Sequence, residues 1–232
     1  MTIQPDLSPL VPGQAAPPAL HSGDIHVRWV VPEIFHDLPV RETDDEKAVE
    51  LLEELVERCL PGVGEDGKTQ FGVMCALCVD ALLAAGAEYA AICVTAVDEV
   101  PCTATFYASL LDSSDAGNVQ GMLKAFVSAL RRTGMDEVAE IELPCGAAVS
   151  CIGTREESIP GDLMESGESL TYPTSYIRVY VPLPNGTSLV MEMATPTMAG
   201  WDIFSTIFGN LVSSIRLFHA DGSPLITSEV GA

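Results

Sequence analysis

Two short motifs in this chain have the residue types and spacing for chemistry. Gly62-Val-Gly-Glu-Asp-Gly67-Lys68-Thr69 meets the GxxxxGK[ST] spacing, in which glycines let backbone N–H groups wrap phosphates, the lysine pairs with phosphate oxygens and the hydroxyl holds Mg²⁺. Cys75-Ala-Leu-Cys78 is a CxxC, the spacing of a redox pair or of half a zinc site. Context weighs against both. A phosphate loop must follow a buried parallel strand, whereas a helical pattern precedes this one. Glu65 and Asp66 put negative charge where phosphates would lie, and no hydrophobic strand ending in Asp follows. The CxxC lies among apolar residues in mid-helix, with neither Pro nor Gly between its thiols and no second pair at zinc spacing. Cys145 and Cys151 are poorly spaced as ligands. His21, His26, His36 and His219 are scattered, and neither GxSxG nor HExxH occurs. The expectation is a protein that is not an enzyme, with no catalytic residues, cofactor or metal site. Gly62, Gly67, Lys68 and Thr69 are kept as a nucleotide-binding alternative.

A different signal lies in the charges. The chain holds 33 Asp and Glu against 11 Lys and Arg, a formal net charge of −22 with a pI near 4.2. No basic stripe could displace counterions from a nucleic acid, and docking on an anionic membrane surface is disfavoured too. The 47% hydrophobic content separates the chain from acidic disordered proteins. Acids gather on the segment Glu42–Glu57, whose outward residues Glu46, Glu50, Glu53, Glu54 and Glu57 are the candidate contacts for a protein partner with a basic surface. Residues 154–173 form a second acidic stretch. Three lysines against eight arginines, with abundant Ala, Gly and Val, suggest a bacterial source of high GC content or an adaptation to salt.

The elements that must position these residues follow from periodicity. Residues 1–23 read as a disordered Pro-rich extension and 219–232 as a flexible tail, around a single domain over 24–218. A strand at 24–32 alternates Ile25, Val27 and Trp29 with His26 and Arg28. Thr43 with Glu46 has capping-box spacing for a helix to Cys59, with Ala48, Leu51, Leu52, Leu55 and Cys59 on its apolar stripe. A turn at 62–68 leads to a second helix at about 70–85, apolar nearly all round and expected to be buried. Strands at 88–97 and 103–110 flank a loop, DEVPC. Asn118 caps a helix to Arg132, with Gly134 after its end. Strands at 138–144 and 147–153 precede a long exposed loop over 154–173. Pro184-Asn185-Gly186 marks a hairpin between SYIRVYVPL and TSLVMEMAT, and a last helix runs from about Ala199 to Phe218. Short turns between consecutive strands specify an α+β fold, an antiparallel sheet of about six to seven strands covered by helices.

No uninterrupted run of about 18 apolar residues and no signal-type N-terminus occur, and seven cysteines in apolar segments suit reduced thiols. These features lead to the expectation of a cytoplasmic protein without membrane insertion.

One stretch carries a family likeness. A strand ending in Tyr180-Val181-Pro182-Leu183-Pro184, a turn, a strand ending in Ala194-Thr195-Pro196, and a helix with Trp201, Phe204 and Phe208 closing in Ser213-Ser214-Ile215-Arg216-Leu217 resemble the end of the PsbP/Mog-like α/β/α sandwiches. Leu143-Pro144-Cys145-Gly146 is similar to an LP-x-G turn of bacterial relatives, and the likeness spans mainly residues 86–218. It implies a central antiparallel sheet with helices on both faces, no shared catalytic residues, and a role in binding partners, as extrinsic subunits of larger complexes or small-GTPase regulators do. The expected function is a non-catalytic accessory or adaptor protein, in a secretion or other multi-protein system. The alternatives are the nucleotide-binding enzyme above and a carrier of small apolar ligands on the sheet.

Overall fold

The computed structural model describes residues 18–112, 118–134, 137–164 and 167–225. In chain order these form β1 (Ala19–Ser22), β2 (Ile25–Arg28), β3 (Phe35–Asp37), α1 (Asp45–Cys59), α2 (Glu65–Ala84), β4 (Tyr89–Val97), β5 (Val100–Asp112), α3 (Val119–Arg132), β6 (Glu137–Leu143), β7 (Gly146–Ile159), β8 (Leu170–Pro182), β9 (Thr187–Thr195), α4 (Trp201–Ser213) and β10 (Arg216–His219). Seven strands make one antiparallel sheet in the order β3-β4-β5-β9-β8-β7-β6, and β1-β2-β10 make a second, small sheet. The α+β class, the antiparallel pairing and helices on both faces agree with the sequence reading. The small sheet was not part of it.

Strand alternation gives the large sheet two unlike faces. One face presents Ala91 and Cys93 of β4, Ala104, Phe106 and Ala108 of β5, and Met191 and Met193 of β9. These pack against Val27 and Trp29 of the small sheet's segment and Phe204, Phe208 and Leu211 of α4. Small side chains on β4 and β5 leave room for rings: Trp29 meets Tyr89 edge-on at 5.5 Å and Phe106 at 6.4 Å, and Phe106 lies 6.4 Å from Phe208. The opposite face is covered in two separate places. Leu55 of α1 and Cys75, Val79 and Leu82 of α2 pack on Ala90 and Ile92 of β4. Leu123 of α3 packs on Val149, Tyr176, Tyr180 and Val190 of β7, β8 and β9.

Several boundaries differ from the sequence reading. The α1 N-cap is Asp44 rather than Thr43: its carboxylate accepts from the backbone N–H groups of Glu46 and Lys47, and Glu42 accepts from Thr43 and Asp44 one step upstream. The expected loop at 98–102 shrinks to Asp98-Glu99, because Val97 already pairs with Val100. Residues 154–159 and 170–173 are not loop: they extend β7 and β8 into a ladder from Val149↔Tyr180 to Ile159↔Leu170, so only 160–169 connects them. Of the five acids in that stretch, Glu156 and Glu157 are thereby drawn into the sheet.

The last helix ends at Ser213, not near Phe218. Ser214 bonds back to the Leu211 carbonyl and accepts from the Val30 N–H, which turns the chain out as β10 alongside β2. Leu225 then donates to the Leu217 carbonyl, so residues 219–225 fold back on β10. Residues 19–22 likewise form β1, inside the expected extension. Residues 1–17 and 226–232, the remainder of the expected extension and tail, lie outside the described residues.

The Asp98-Glu99 turn holds φ of 50° and 66°, left-handed values that a side chain resists and glycine does not. Glu99→Gly is expected to raise stability by up to about 1 kcal/mol, read from the urea midpoint at unchanged slope.

Candidate functional site

The P-loop-like segment is mostly helix. Gly64 is the N-cap of α2, so Glu65 to Thr69 occupy its first turns, and the Lys68 N–H donates to the Gly64 carbonyl instead of pointing into a loop. The Lys68 ammonium bonds both Glu57 carboxylate oxygens at 2.7 Å and lies 3.6 Å from Glu65. A phosphate would have to displace a carboxylate already in contact. The element before the turn is α1, as the sequence indicated, not a strand.

The thiols are set up for packing rather than reaction. Burial pushes Cys75 up to about 12 and Cys78 to about 11, from an ordinary 9.0. Burial does the same for Cys93 and Cys145, each raised to about 11. Thiolate is the reactive form, and these sites suppress it near neutrality. No group of three or more His, Cys, Asp or Glu among the described residues is placed to hold a metal ion.

The acidic candidates stand where the sequence put them. Glu46, Glu50, Glu53, Glu54 and Glu57 are all exposed on α1. Only Glu57 has an ion-pair partner among the described residues, Lys68. Beside this row the structure corrects the expectation for α2. Only Cys75, Val79 and Leu82 of its 20 residues are buried, while Val73, Met74 and Leu83 are exposed. By length and composition alone α2 is apolar enough to cross a membrane, although Lys68 and Asp80 interrupt it. It rests as one half of an α1–α2 hairpin with one side on the sheet. The result is an acidic helix lying next to an apolar one, with Val49 of α1 also 54% exposed.

Between the α1–α2 hairpin and α3 the sheet carries a polar cluster that sequence reasoning missed. Glu192, at the middle of β9, is 1% exposed. Arg155 Nη1 donates to its Oε1 at 2.5 Å, and Arg178 Nε donates to its Oε2 at 2.6 Å, with Arg178 Nη2 also in contact. Arg155 Nε donates to Glu157 at 2.8 Å, and Arg178 Nη1 to the Tyr180 hydroxyl at 3.1 Å. Both guanidiniums lie over the Tyr176 ring, at 5.2 and 5.3 Å. Tyr107 reaches Glu192 at 3.5 Å and Tyr172 reaches Glu157 at 3.4 Å, so four of the five tyrosines share this face. Burial lowers the affinity of Arg178 for its proton, but the Glu192 charge and the Tyr180 hydrogen bond outweigh it and the net shift is upward. The available signal was a lone Glu in the apolar run VMEMA, in register with Arg178 on the next strand.

The cluster links four strands, β5, β7, β8 and β9, and presents no reacting geometry of nucleophile and base. The chain matches no protein-family model and no curated protein.

Glu192→Ala leaves two guanidiniums facing an apolar gap. The half-open Arg155 side, 37% exposed, admits water and places the expected loss at the low end of the range for broken buried pairs, about 3 kcal/mol in urea unfolding. A loss below about 1 kcal/mol would show that the network does not hold the sheet.

The raised thiol values also fix a pH dependence. The unfolded chain ionises its thiols above 9.0, while the buried ones resist until about 11 to 12. Their contribution to stability is complete below pH 9 and lost progressively as pH climbs from there through 11 to 12. Circular dichroism against pH should show unfolding that starts in this window.

Proposed function

We propose that this chain is a non-catalytic accessory protein of the cytoplasm that binds another protein through its α1–α2 surface. The observation that carries the reading is the pairing of an exposed apolar helix face with an acidic row on its neighbour, of which only Glu57 has an ion-pair partner among the described residues. Val73, Met74 and Leu83 give a partner apolar area to cover, and Glu46, Glu50, Glu53 and Glu54 select a basic one and speed its approach. The antiparallel sheet with helices on both faces supports the likeness to PsbP/Mog-like sandwiches, whose members act by binding. A role in a secretion or other multi-protein assembly is part of this proposal.

The nucleotide-binding alternative loses its support with Lys68 held by Glu57. The carrier alternative needs an open apolar sheet face, and that face is packed by Trp29, Phe204 and Phe208.

The test is a gentle native pull-down of the tagged chain beside its Glu46→Gln/Glu50→Gln/Glu53→Gln/Glu54→Gln variant, quantified by mass spectrometry. The expected outcome is a basic protein recovered in stoichiometric amount, with its recovery falling about tenfold on the variant, equivalent to roughly 1.4 kcal/mol. Recovery of the chain with no other protein, or equal recovery on the variant, overturns the reading.

A further inference from the structure

Eleven cations serve a chain of 33 acids, and eight of them are engaged within the molecule. Arg28 lies over the Phe218 ring. Arg41 donates to the Glu88 and Ala19 carbonyls, Arg58 to that of Glu54, and Arg216 to those of Ser213 and Ile215. Lys47 pairs with Glu42, Lys68 with Glu57, and Arg155 and Arg178 with Glu192. The other three, Lys124, Arg131 and Arg132, have no side-chain partner among the described residues. All three are exposed and all three line one cavity of about 420 Å³, together with Val127 and Ser128 of α3 and Glu140 of β6.

Helix electrostatics account for part of this. Arg131 and Arg132 lie in the last turn of α3, where cations offset the helix dipole. Lys124, two turns earlier, gains nothing there. Lys124 and Arg131 are seven positions apart on the helix, about 10 Å along the axis, so the cations form a row and not a single cluster. The spacing suits a ligand that presents carboxylates in a row, as an acidic helix does.

This chain contains such a helix. Glu46, Val49, Glu53 and Glu54 on α1 have the same intervals as Lys124, Val127, Arg131 and Arg132 on α3, each offset by 78 positions. Positions i, i+3 and i+7 form the stripe along which two helices pack side by side. Glu46, Glu53 and Glu54 are exposed with no ion-pair partner among the described residues, and Val49 is exposed between them. Within one molecule the two helices cover different parts of the sheet: the α1–α2 hairpin lies on β4, and α3 on β7, β8 and β9.

We propose that α1 of one copy docks along α3 of a second copy in the same direction, Glu46 facing Lys124, Val49 meeting Val127, and Glu53 and Glu54 facing Arg131 and Arg132. The proposal rests on the reading of α1 as a binding helix and names its partner as this chain itself. Two chains of −22 repel each other, and salt decides the balance. At about 0.01 M the screening length of roughly 30 Å lets whole-molecule repulsion dominate; at about 0.15 M it falls to roughly 8 Å and the facing pairs prevail. Association is therefore fullest near physiological salt and weaker on both sides of it.

Sedimentation of the purified chain alone, at about 0.15 M salt and up to about millimolar concentration, tests this directly. The chain is expected to self-associate. Two charge-reversed variants, Glu46→Lys/Glu53→Lys/Glu54→Lys and Lys124→Glu/Arg131→Glu/Arg132→Glu, are each expected to be monomeric and to associate with one another when mixed, since each then offers the complement of the other. Circular dichroism checks that both fold, and Gln replacements at the same positions serve if either does not. A monomeric wild-type chain overturns the proposal, as does self-association that survives in both variants, or variants that fail to associate on mixing. If self-association holds while the pull-down recovers only this chain, the adaptor reading fails and the present one stands. A basic partner captured through α1 by a chain that is monomeric when pure gives the reverse.

Discussion

A carboxylate with 1% exposure in the middle of a sheet must keep its charge company, and at Glu192 two guanidiniums do so from different strands. Arg178 is its register partner on β8, whereas Arg155 reaches it from β7, across the Tyr176 ring. The sheet register is thereby tied at its centre: a slip of one residue along β8 or β9 would turn a charged group to the apolar face. Such a slip is opposed by the cost of burying an unpaired charge, not merely by lost hydrogen bonds.

That constraint arranges the rest of the molecule. One sheet face can be largely apolar, filled by α4 and the small sheet with rings fitted over alanines and cysteines. The other face has a polar strip down its middle, and its helices settle on either side of it. The α1–α2 hairpin takes β4 and neighbouring β5, and α3 takes β7 to β9. Charge separates in the same way: Glu46, Glu50, Glu53 and Glu54 on α1 and Lys124, Arg131 and Arg132 on α3 have no ion-pair partner among the described residues. Net charge alone would describe this protein as uniformly acidic, and the separated helices are what give it two surfaces of unlike charge.

Much of the fold was legible in the sequence where local chemistry and tertiary packing agree. Asn118 caps α3 and accepts from the Gly121 N–H, Gly134 has a left-handed φ of 83° after the helix, and the Pro184-Asn185-Gly186 turn joins β8 to β9. Errors fell where a distant partner overrides a local pattern. Ile215 to Phe218 continue the apolar face of α4 well enough to read as helix, yet β2 offers an edge and Val30 offers a donor to Ser214. Residues 154–159 look like an acidic loop until β8 pairs with them over their full length. The Asp44 cap was displaced by one residue in the reading because Thr43 and Asp44 are both capping residue types, and only backbone geometry chooses between them.

The sequence by itself determined the class of the fold, the charge imbalance and the position of the acidic row on α1, because strand alternation, helix periodicity and composition are local properties of the chain. Tertiary structure alone decided that Lys68 is held by Glu57, that α2 is left largely uncovered, that Glu192 gathers two arginines and that Lys124, Arg131 and Arg132 share one cavity. Each of these depends on which elements share a face of the sheet, and residues far apart in the chain meet only once the strand order is set.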